Sequence, residues 1–187
     1  MVRHAQIDHN SWQYSDLHNM LNESLQLACK KLWEKKNVPM TIKTNYDESI
    51  SKIKLSFSDI FQAFMNIIDN SCYALKTKLE LQEAANQDFN PTLSIQTYNL
   101  GGKVEIHIYD NGIGINSKIK DKIFNPFFIT KPSGEGVGLG LSLVNKIIVG
   151  QHHGSIKVET QAGKYTEFII EIPMANSTNF LPERDES

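Results

Sequence analysis

The sequence has few cysteines, no long apolar run and almost no excess of charge of either sign. The 187 residues contain two cysteines, Cys29 and Cys72, far apart within helical patterns. We expect buried free thiols in a reducing compartment, not a disulfide framework. No apolar run is long enough to cross a bilayer and no signal peptide is recognisable, which predicts a cytoplasmic chain without direct membrane insertion. The formal net charge of -2 shows no basic bias, so no nucleic-acid partner is expected.

The hydrophobic pattern that is present is typical of one mixed domain. A 40% hydrophobic content over 187 residues suffices for one good core. Apolar residues recur three and four positions apart in three segments, as in amphipathic helices. The predicted helices run over 17–36, from Ser56 or Ser58 to about Glu83, and over about 137–151. Asp16 directly precedes the first helix and is its expected N-cap.

Alternation of apolar and polar residues predicts strands around these helices. Gly101-Gly102 joins two alternating runs, Leu93–Leu100 and Lys103–Asp110, which is a strong hairpin signal. The other predicted strands run over 40–46, 53–55, 155–160 and 165–172. Because strands and helices are mixed without strict βαβ alternation, we expect an α+β two-layer sandwich.

The predicted domain covers residues 17–173. Residues 1–16 are polar without a clear period, and we interpret them as a lead-in left from an upstream helical linker. Residues 174–187 form a polar tail that we expect to be disordered. Residues 111–136 form a long irregular connection, and connections of that length inside a domain often act as lids.

Asn66 and Asn70 stand four residues apart in the second predicted helix, on a stripe roughly opposite its apolar face. Asparagine is a mediocre helix former, and exposed stripes more usually carry lysine and glutamate. One interpretation is two solvated asparagines. The other is that their side-chain carbonyls face a polar pocket and ligate a hard cation such as Mg²⁺.

Asp110 ends a predicted strand and shares the parity of its inward-facing residues. The other inward-facing positions are Val104, Ile106 and Ile108. A carboxylate in line with buried side chains needs hydrogen-bond donors, and the exocyclic amine of a purine would supply one. The alternative is that Asp110 caps the Asn111-Gly112 turn. Gly112 and Gly114 would also let a flat ring approach the backbone closely.

The irregular segment combines aromatic side chains with a glycine run. Its three large apolar groups, suited to anchor a lid, are Phe124, Phe127 and Phe128. Lys131 is either a phosphate contact or an ordinary surface lysine. The glycines that lead into the third helix are Gly134, Gly136, Gly138 and Gly140. Bare N–H groups at a helix start suit a phosphate, although glycine-rich runs alone are weak indicators.

Four motifs occur in an order that resembles the ATP-binding domain of sensor histidine kinases, part of the superfamily with gyrase, mismatch-repair and heat-shock chaperone ATPases. FMNIIDNSCYAL is similar to the N box, DNGIGI to the first glycine box, IFNPFFITK to the F box and GEGVGLGL to the second glycine box. GKYTEFIIEIP resembles the closing strand. The resemblance covers about 16–173 and implies a Bergerat-type fold, with a mixed, mostly antiparallel sheet packed on about three helices.

The resemblance implies ATP and Mg²⁺ as ligands. It implies that Asn70 ligates Mg²⁺, that Asp110 binds the adenine amine and that the amides over 136–141 hold the phosphates. No residue is assigned a catalytic role, and Lys131 is a candidate phosphate contact. The implied ATP contacts are Asn66, Asn70, Tyr73, Asp110, Gly112, Gly114, Ile115, Phe127, Phe128, Lys131, Gly136, Val137, Gly138, Leu139, Gly140, Leu141 and Thr166. Val137 stands where a hydroxyl residue is usual, which removes one phosphate contact.

The residue at position 66 distinguishes a kinase from an ATPase that uses water. Superfamily members that use water carry a glutamate there, and the amide of Asn66 does not accept a proton at neutral pH. The resemblance therefore implies a protein histidine kinase whose partners are histidine-bearing dimerisation helices and a response regulator receiver domain. None of the six histidines precedes an acidic residue, so the acceptor histidine is expected outside this chain. The alternatives are a nucleotide-binding interaction module without transfer activity, or an anti-sigma-type protein-serine kinase.

Overall fold

Helices pack against one face of a five-stranded sheet. The computed structural model describes residues 12–33, 40–128 and 138–174. The helices are α1 (Leu17–Trp33), α2 (Phe57–Ala84), α3 (Ser117–Lys120) and α4 (Gly140–Asn145), and α4 continues as a π-helical segment over Lys146–Gln151. The strands are β1 (Trp12–Ser15), β2 (Thr41–Asn45), β3 (Ile53–Ser56), β4 (Thr92–Asn99), β5 (Lys103–Asp110), β6 (Ser155–Gln161) and β7 (Tyr165–Pro173).

The sheet is mixed and mostly antiparallel, as predicted. Its strand order is β2-β4-β5-β7-β6, with β2 parallel to β4 and the other neighbouring pairs antiparallel. The N–H of Leu100 donates to the carbonyl of Lys103 at 2.9 Å, and Gly101 between them has a φ of 83°. The predicted glycine hairpin is therefore confirmed, and so is the α+β class.

The core lies between this sheet and the helices. Burial alternates along β5 and β7, so that one side chain in two points towards the helices. The inward-facing apolar residues of these strands are Val104, Ile106, Ile108, Phe168, Ile170 and Ile172. The buried apolar face of α2 consists mainly of Ile60, Phe64, Ile67, Ile68, Cys72 and Leu75. These two surfaces belong to one continuous hydrophobic cluster.

The predicted start of α1 is confirmed at its cap. Asp16 Oδ1 accepts the backbone N–H of Asn19 at 3.0 Å, as an N-cap side chain does. The predicted end at Lys36 lies outside the described residues. Cys29 of α1 and Cys72 of α2 are buried free thiols, as expected, and their sulfur atoms lie 3.7 Å apart.

Three elements differ from the sequence predictions by more than a residue at either end. Strand β1 lies within the segment for which no element was predicted, and it forms a two-stranded antiparallel sheet with β3, with Trp12 opposite Ser56. Four residues are too few to show a period, so the partner strand decides this element. Helix α4 begins at Gly140 and not at position 137, since Gly138 has a φ of 71° that no helix continues. Helix α3 lies inside the connection predicted to be irregular.

The two ends of the chain are only partly described. Of the predicted tail, Met174 donates its N–H to the carbonyl of Gly102 at 2.9 Å, and residues 175–187 lie outside the described residues. Within the described ranges, no helix is both long and apolar enough to span a bilayer.

Candidate functional site

A cavity of about 580 Å³ opens between α2, the turn after β5, α3 and the start of α4. Most of the predicted ATP contacts line this single cavity. They are Asn66, Asn70, Tyr73, Asp110, Gly114, Ile115, Phe128, Gly138, Leu139, Gly140, Leu141 and Thr166. Residues from four separate stretches of sequence therefore meet at one place, which suits a ligand of nucleotide size.

Five predicted contacts are not placed in the cavity lining. Gly112 lies next to it and donates its N–H to Asp110. Phe127 points away and is 72% exposed, with a φ of 63°. Lys131, Gly136 and Val137 lie outside the described residues.

The asparagine stripe of α2 faces the cavity. Asn66 Nδ2 donates to the carbonyl of Gly140 at 3.4 Å, which connects α2 with the first turn of α4. Asn66 Oδ1 accepts Gln62 Nε2 at 3.3 Å, so both ends of the Asn66 amide are engaged within the protein. Of the two interpretations of this stripe, solvated asparagines and a polar pocket, the structure favours the pocket.

The same wall offers oxygen ligands for a hard cation. Asn70 and Asp69 both line the cavity, and Asp69 Oδ1 is buried without a hydrogen-bond partner among the described residues. An amide oxygen and a carboxylate oxygen are ligands that Mg²⁺ accepts when phosphates and waters complete its octahedron. No group of three or more His, Cys, Asp or Glu side chains suited to a metal occurs in the described part of the chain. The donor set therefore fits a cation that arrives with phosphate oxygens.

Asp110 lines the cavity and is 1% exposed. Its Oδ1 accepts the N–H of Gly112 at 3.0 Å, so the predicted turn cap is present while the side chain also lines the cavity. Burial raises the pKa of Asp110 to about 7, and the Gly112 hydrogen bond opposes that rise. A carboxyl group in this setting is poised to gain from a further donor supplied by a ligand.

The turn after Asp110 is held by the β6–β7 hairpin. The carbonyl of Ile113 accepts the N–H of Gly163 at 2.6 Å, and Ile115 N–H donates to Thr160 Oγ1 at 2.8 Å. Gly114 has a φ of 65°, and a Cβ there would collide with the carbonyl of Gln161. This glycine is therefore required by packing within the protein itself, a reason that the sequence did not reveal.

The second glycine run approaches the phenylalanine segment. A Cβ on Gly138 would lie 2.7 Å from the carbonyl carbon of Phe127 and 2.9 Å from the carbonyl oxygen of Phe128. Phe128 is partly buried against the core, and Ile123 is buried beside it. These contacts place Gly138, just after the predicted lid (residues 111–136), against Phe127 and Phe128 within it.

Several residues of the lining were not predicted. They are Asp69, Ser71, Ala74, Thr77, Ile113, Asn116, Ile119, Ile123 and Phe168. Ala74 and Thr77 continue the spacing of Asn66 and Asn70 by steps of three and four, so helical periodicity would have found them. Ile119 and Ile123 show the same spacing in α3 and the turn that follows it. Asp69 lies three residues after Asn66, and Phe168 lies two residues after Thr166 on the same face of β7, so periodicity would have found both.

Comparison with known proteins identifies the family. A family described as histidine kinase-, DNA gyrase B- and HSP90-like ATPase matches residues 55–176 of this chain. The chain belongs to this family of ATPases. The match includes α2, the Asp110 turn and α4, and thus every element that forms the cavity walls. The cavity therefore lies wholly within the part of the chain that the family model matches.

Curated relatives in this family are sensor kinases. The chain is 29% identical to the sensor histidine kinase ZraS of Escherichia coli over 166 residues, which is 89% of this chain and 32% of that protein. It is 30% identical to the sensory histidine kinase/phosphatase NtrB of Vibrio alginolyticus over 164 residues, covering 85% of this chain and 43% of that protein. The chain therefore spans less than half the length of either relative and corresponds to the ATP-binding catalytic part of such kinases.

Solved structures agree with this assignment. The catalytic domain of the histidine kinase ThkA superimposes with a TM-score of 0.69 at 26% identity, covering 88% of this chain and 96% of that domain. Full-length ShkA in complex with AMPPNP gives a TM-score of 0.71 at 20% identity, covering 90% of this chain and 32% of that protein. At that lower identity the likeness shows the fold alone.

Proposed function

We propose that this chain binds Mg-ATP and delivers the γ-phosphate to a histidine on a dimerisation helix, as the catalytic part of a two-component sensor histidine kinase. The observation that carries the proposal is that Asp110 and the asparagines of α2 line one cavity of nucleotide size. It is supported by membership of the ATPase family and by relatives that are sensor kinases.

The adenine end of the nucleotide belongs at Asp110 in this proposal. The carboxyl group is buried and has one backbone donor, Gly112, so an exocyclic amine adds a second. Thr166 lies opposite Asp110 on β7 and supplies a hydroxyl at the same place. The base thus exchanges its hydrogen bonds with water for hydrogen bonds to oriented protein groups.

The phosphate end belongs between α2 and the start of α4. Asn70 would hold Mg²⁺ through its amide oxygen, and the bound ion would supply charge neutralisation for the phosphates. Gly140 and Leu141 form the first turn of α4 and line the cavity. Their backbone amides bind phosphate oxygens, and Gly136 and Val137 are proposed to extend the same contact. Lys131 is proposed to contact a phosphate from the lid, residues 111–136.

Transfer to a protein side chain is favoured over hydrolysis. Asn66 occupies the position from which a base would direct water, and its amide instead binds Gln62 and the carbonyl of Gly140. An amide takes no proton at neutral pH. Phosphoryl transfer rests mainly on positioning and charge neutralisation, so a well-placed histidine suffices as the acceptor.

The partners that follow are the histidine-bearing dimerisation helices and a response regulator receiver domain. We place the catalytic domain at residues 17–173. Cys29 and Cys72 are free thiols whose sulfur atoms lie close together. Free thiols favour a reducing compartment, so the proposed location is the cytoplasm. The relatives, which are histidine kinases, support this function over an anti-sigma-type serine kinase or a transfer-inactive module.

The test separates binding from transfer. Mg-ATP affinity is measured by calorimetry, and γ-labelled ATP is then incubated with the chain and a fragment carrying the dimerisation helices. We expect measurable binding and an acid-labile, base-stable phosphate on the fragment. Binding without phosphohistidine would reject transfer and leave the interaction module. A label that resists acid and sits on serine would instead favour the anti-sigma-type kinase.

A further inference from the structure

Lys78 of α2 connects the backbone segment after β5 with the turn before β7. Its Nζ donates to the carbonyl of Asn111 at 2.8 Å and to the carbonyl of Lys164 at 3.3 Å. The same ammonium group lies 4.8 Å from the centre of the Phe89 ring. Lys78 is not among the described residues that line the cavity, so it acts on the site through the neighbouring residues that it contacts.

Both carbonyls belong to residues next to the site. Asn111 directly follows Asp110, and its own amide group is fixed to the start of β4, where Oδ1 accepts Thr92 N–H at 2.7 Å. Lys164 lies in the β6–β7 turn, two residues before Thr166. One ammonium group thus holds the end of β5 and the start of β7, whose residues Asp110 and Thr166 pair across the sheet.

The charge of Lys78 also acts on Asp110. The groups that act on this carboxyl are the Gly112 N–H from its own turn and Ser71 and Lys78 from α2. Thr166 lies opposite it on β7, and Tyr109 of β5 interacts with its charge. Among these, Lys78 carries the positive charge. Burial lowers the pKa of Lys78, while the neighbouring Asp110 opposes that change, so the two groups stabilise each other's charged forms.

We propose that Lys78 is a positioning residue for recognition of the nucleotide base, which holds the Asp110–Gly112 turn in place and favours the ionised form of the Asp110 carboxyl group. The effect of Lys78 on the ionisation of Asp110 in the unliganded protein does not depend on the proposed function. The effect on nucleotide affinity rests on the proposed function. A merely structural lysine would hold the turn equally well at every pH, and this difference makes the proposal testable.

The first experiment needs no nucleotide. The carboxyl group of Asp110 is titrated by carbon-13 NMR in the wild type and in the Lys78→Met, Lys78→Arg and Lys76→Met variants. Methionine keeps much of the aliphatic stem without the charge, and Lys76 is a lysine of the same helix that is not among the groups acting on Asp110. Lys78→Met should raise the titration midpoint by about one pH unit, while Lys78→Arg and Lys76→Met leave it within about 0.3. An unchanged midpoint in Lys78→Met overturns the proposal.

The second experiment measures the affinity for Mg-ADP between pH 6 and pH 9. The ratio of Kd in Lys78→Met to Kd in the wild type cancels the titration of the ligand itself. We expect a ratio of about 5 at pH 7 that falls towards about 1 at pH 9, where Asp110 is charged in both proteins. A ratio that does not change with pH would show a structural role only.

Two outcomes remain distinguishable. If the wild type binds no nucleotide, the proposed function fails and the NMR titration still decides the effect of Lys78 on Asp110. If Lys78→Met does not fold, Lys78→Gln takes its place, with the same expectations, and Lys78→Arg shows whether a charge at this position restores the midpoint.

Discussion

Asp110 and Thr166 lie directly opposite each other on the antiparallel strands β5 and β7, and both are almost fully buried at the cavity. This pairing places a carboxyl group and a hydroxyl group at the ends of two core strands. Burial raises the pKa of Asp110 to about 7, so its charge changes in the neutral range. The protonation of this single group therefore links ligand binding with stability.

Asp110→Asn should weaken ATP binding without unfolding the domain. The new amide oxygen still accepts the N–H of Gly112, which preserves the turn, but the charge that attracts the adenine amine is lost. We expect a loss of about 10- to 100-fold at pH 8 and a smaller loss at pH 6, measured by calorimetry. Asp88→Asn, in the exposed loop after α2, is the matched control. Unchanged affinity in Asp110→Asn would contradict the placement of the base.

The same variant should change how stability depends on pH. Asp110 titrates near 3.8 in the unfolded chain and near 7 when folded. Its neutral form therefore favours folding below about 3.8, and this contribution is lost as the pH rises through about 7. The Tm of Asp110→Asn relative to the wild type should increase between pH 5 and pH 8 in differential scanning calorimetry. A difference in Tm that is constant over this range would argue against a buried, titrating carboxyl group.

Asn70→Ala tests the cation site. Removing the amide oxygen takes away the proposed protein ligand of Mg²⁺, while α2 retains a residue with better helix propensity. We expect the Mg²⁺-dependent part of the ATP affinity to fall by about 10-fold or more, with little change in the Mg²⁺-independent part. Titrations with and without chelator separate the two. Equal losses under both conditions would place Asn70 in contact with the nucleotide and not with the metal.

Gly114→Ala should destabilise the protein more than Gly101→Ala. Both glycines have positive φ, but a Cβ on Gly114 collides with the carbonyl of Gln161, while a Cβ on Gly101 meets nothing within 4 Å. The Gly101 variant should therefore lose about 1 kcal/mol of unfolding free energy, from backbone strain alone. The Gly114 variant should lose about 2 kcal/mol or more of unfolding free energy, and its ATP affinity should also fall. Denaturant unfolding measures both, and equal losses would refute the close packing of this turn.

His107 should stabilise the folded protein less as the pH rises. Its Nδ1 lies 2.9 Å from Glu167 Oε1 and its Nε2 lies 2.9 Å from Glu105 Oε1. Two ionised carboxylates accept only, so both ring nitrogens donate and the ring is charged. Burial opposes this charge, but the two carboxylates prevail and raise the pKa of His107. The contribution of charged His107 to the free energy of unfolding is full below about pH 6.5 and is lost as the pH rises through the raised pKa.

His107→Gln should accordingly lower the Tm by about 2–4 °C at pH 6, because these side chains are partly exposed and solvent screens their charges. At pH 9 the loss should be smaller. Differential scanning calorimetry at the two pH values measures the difference. A loss that is equal at both would show that His107 contributes packing only.

The parts of the site that sequence reasoning found are those defined by local periodicity. Alternation along β5 placed Asp110 on the inward side, and a four-residue step placed Asn66 and Asn70 on one face of α2, where the structure has them. The conformation of Phe127 was not accessible in the same way. Its φ is positive, its ring is exposed and its backbone lies against Gly138, and none of these follows from a local repeat.

Sequence alone determined the three long helical segments, strands β2 to β7, the hairpin at Gly101-Gly102 and the inward direction of Asp110, because each follows from the repeat of its own element. Tertiary structure decided the parallel pairing of β2 with β4, the addition of β1 to β3, and the contact of Lys78 with two distant carbonyls. Such contacts join residues far apart in the chain, and they form only where packing of the whole core brings their backbones within hydrogen-bonding distance.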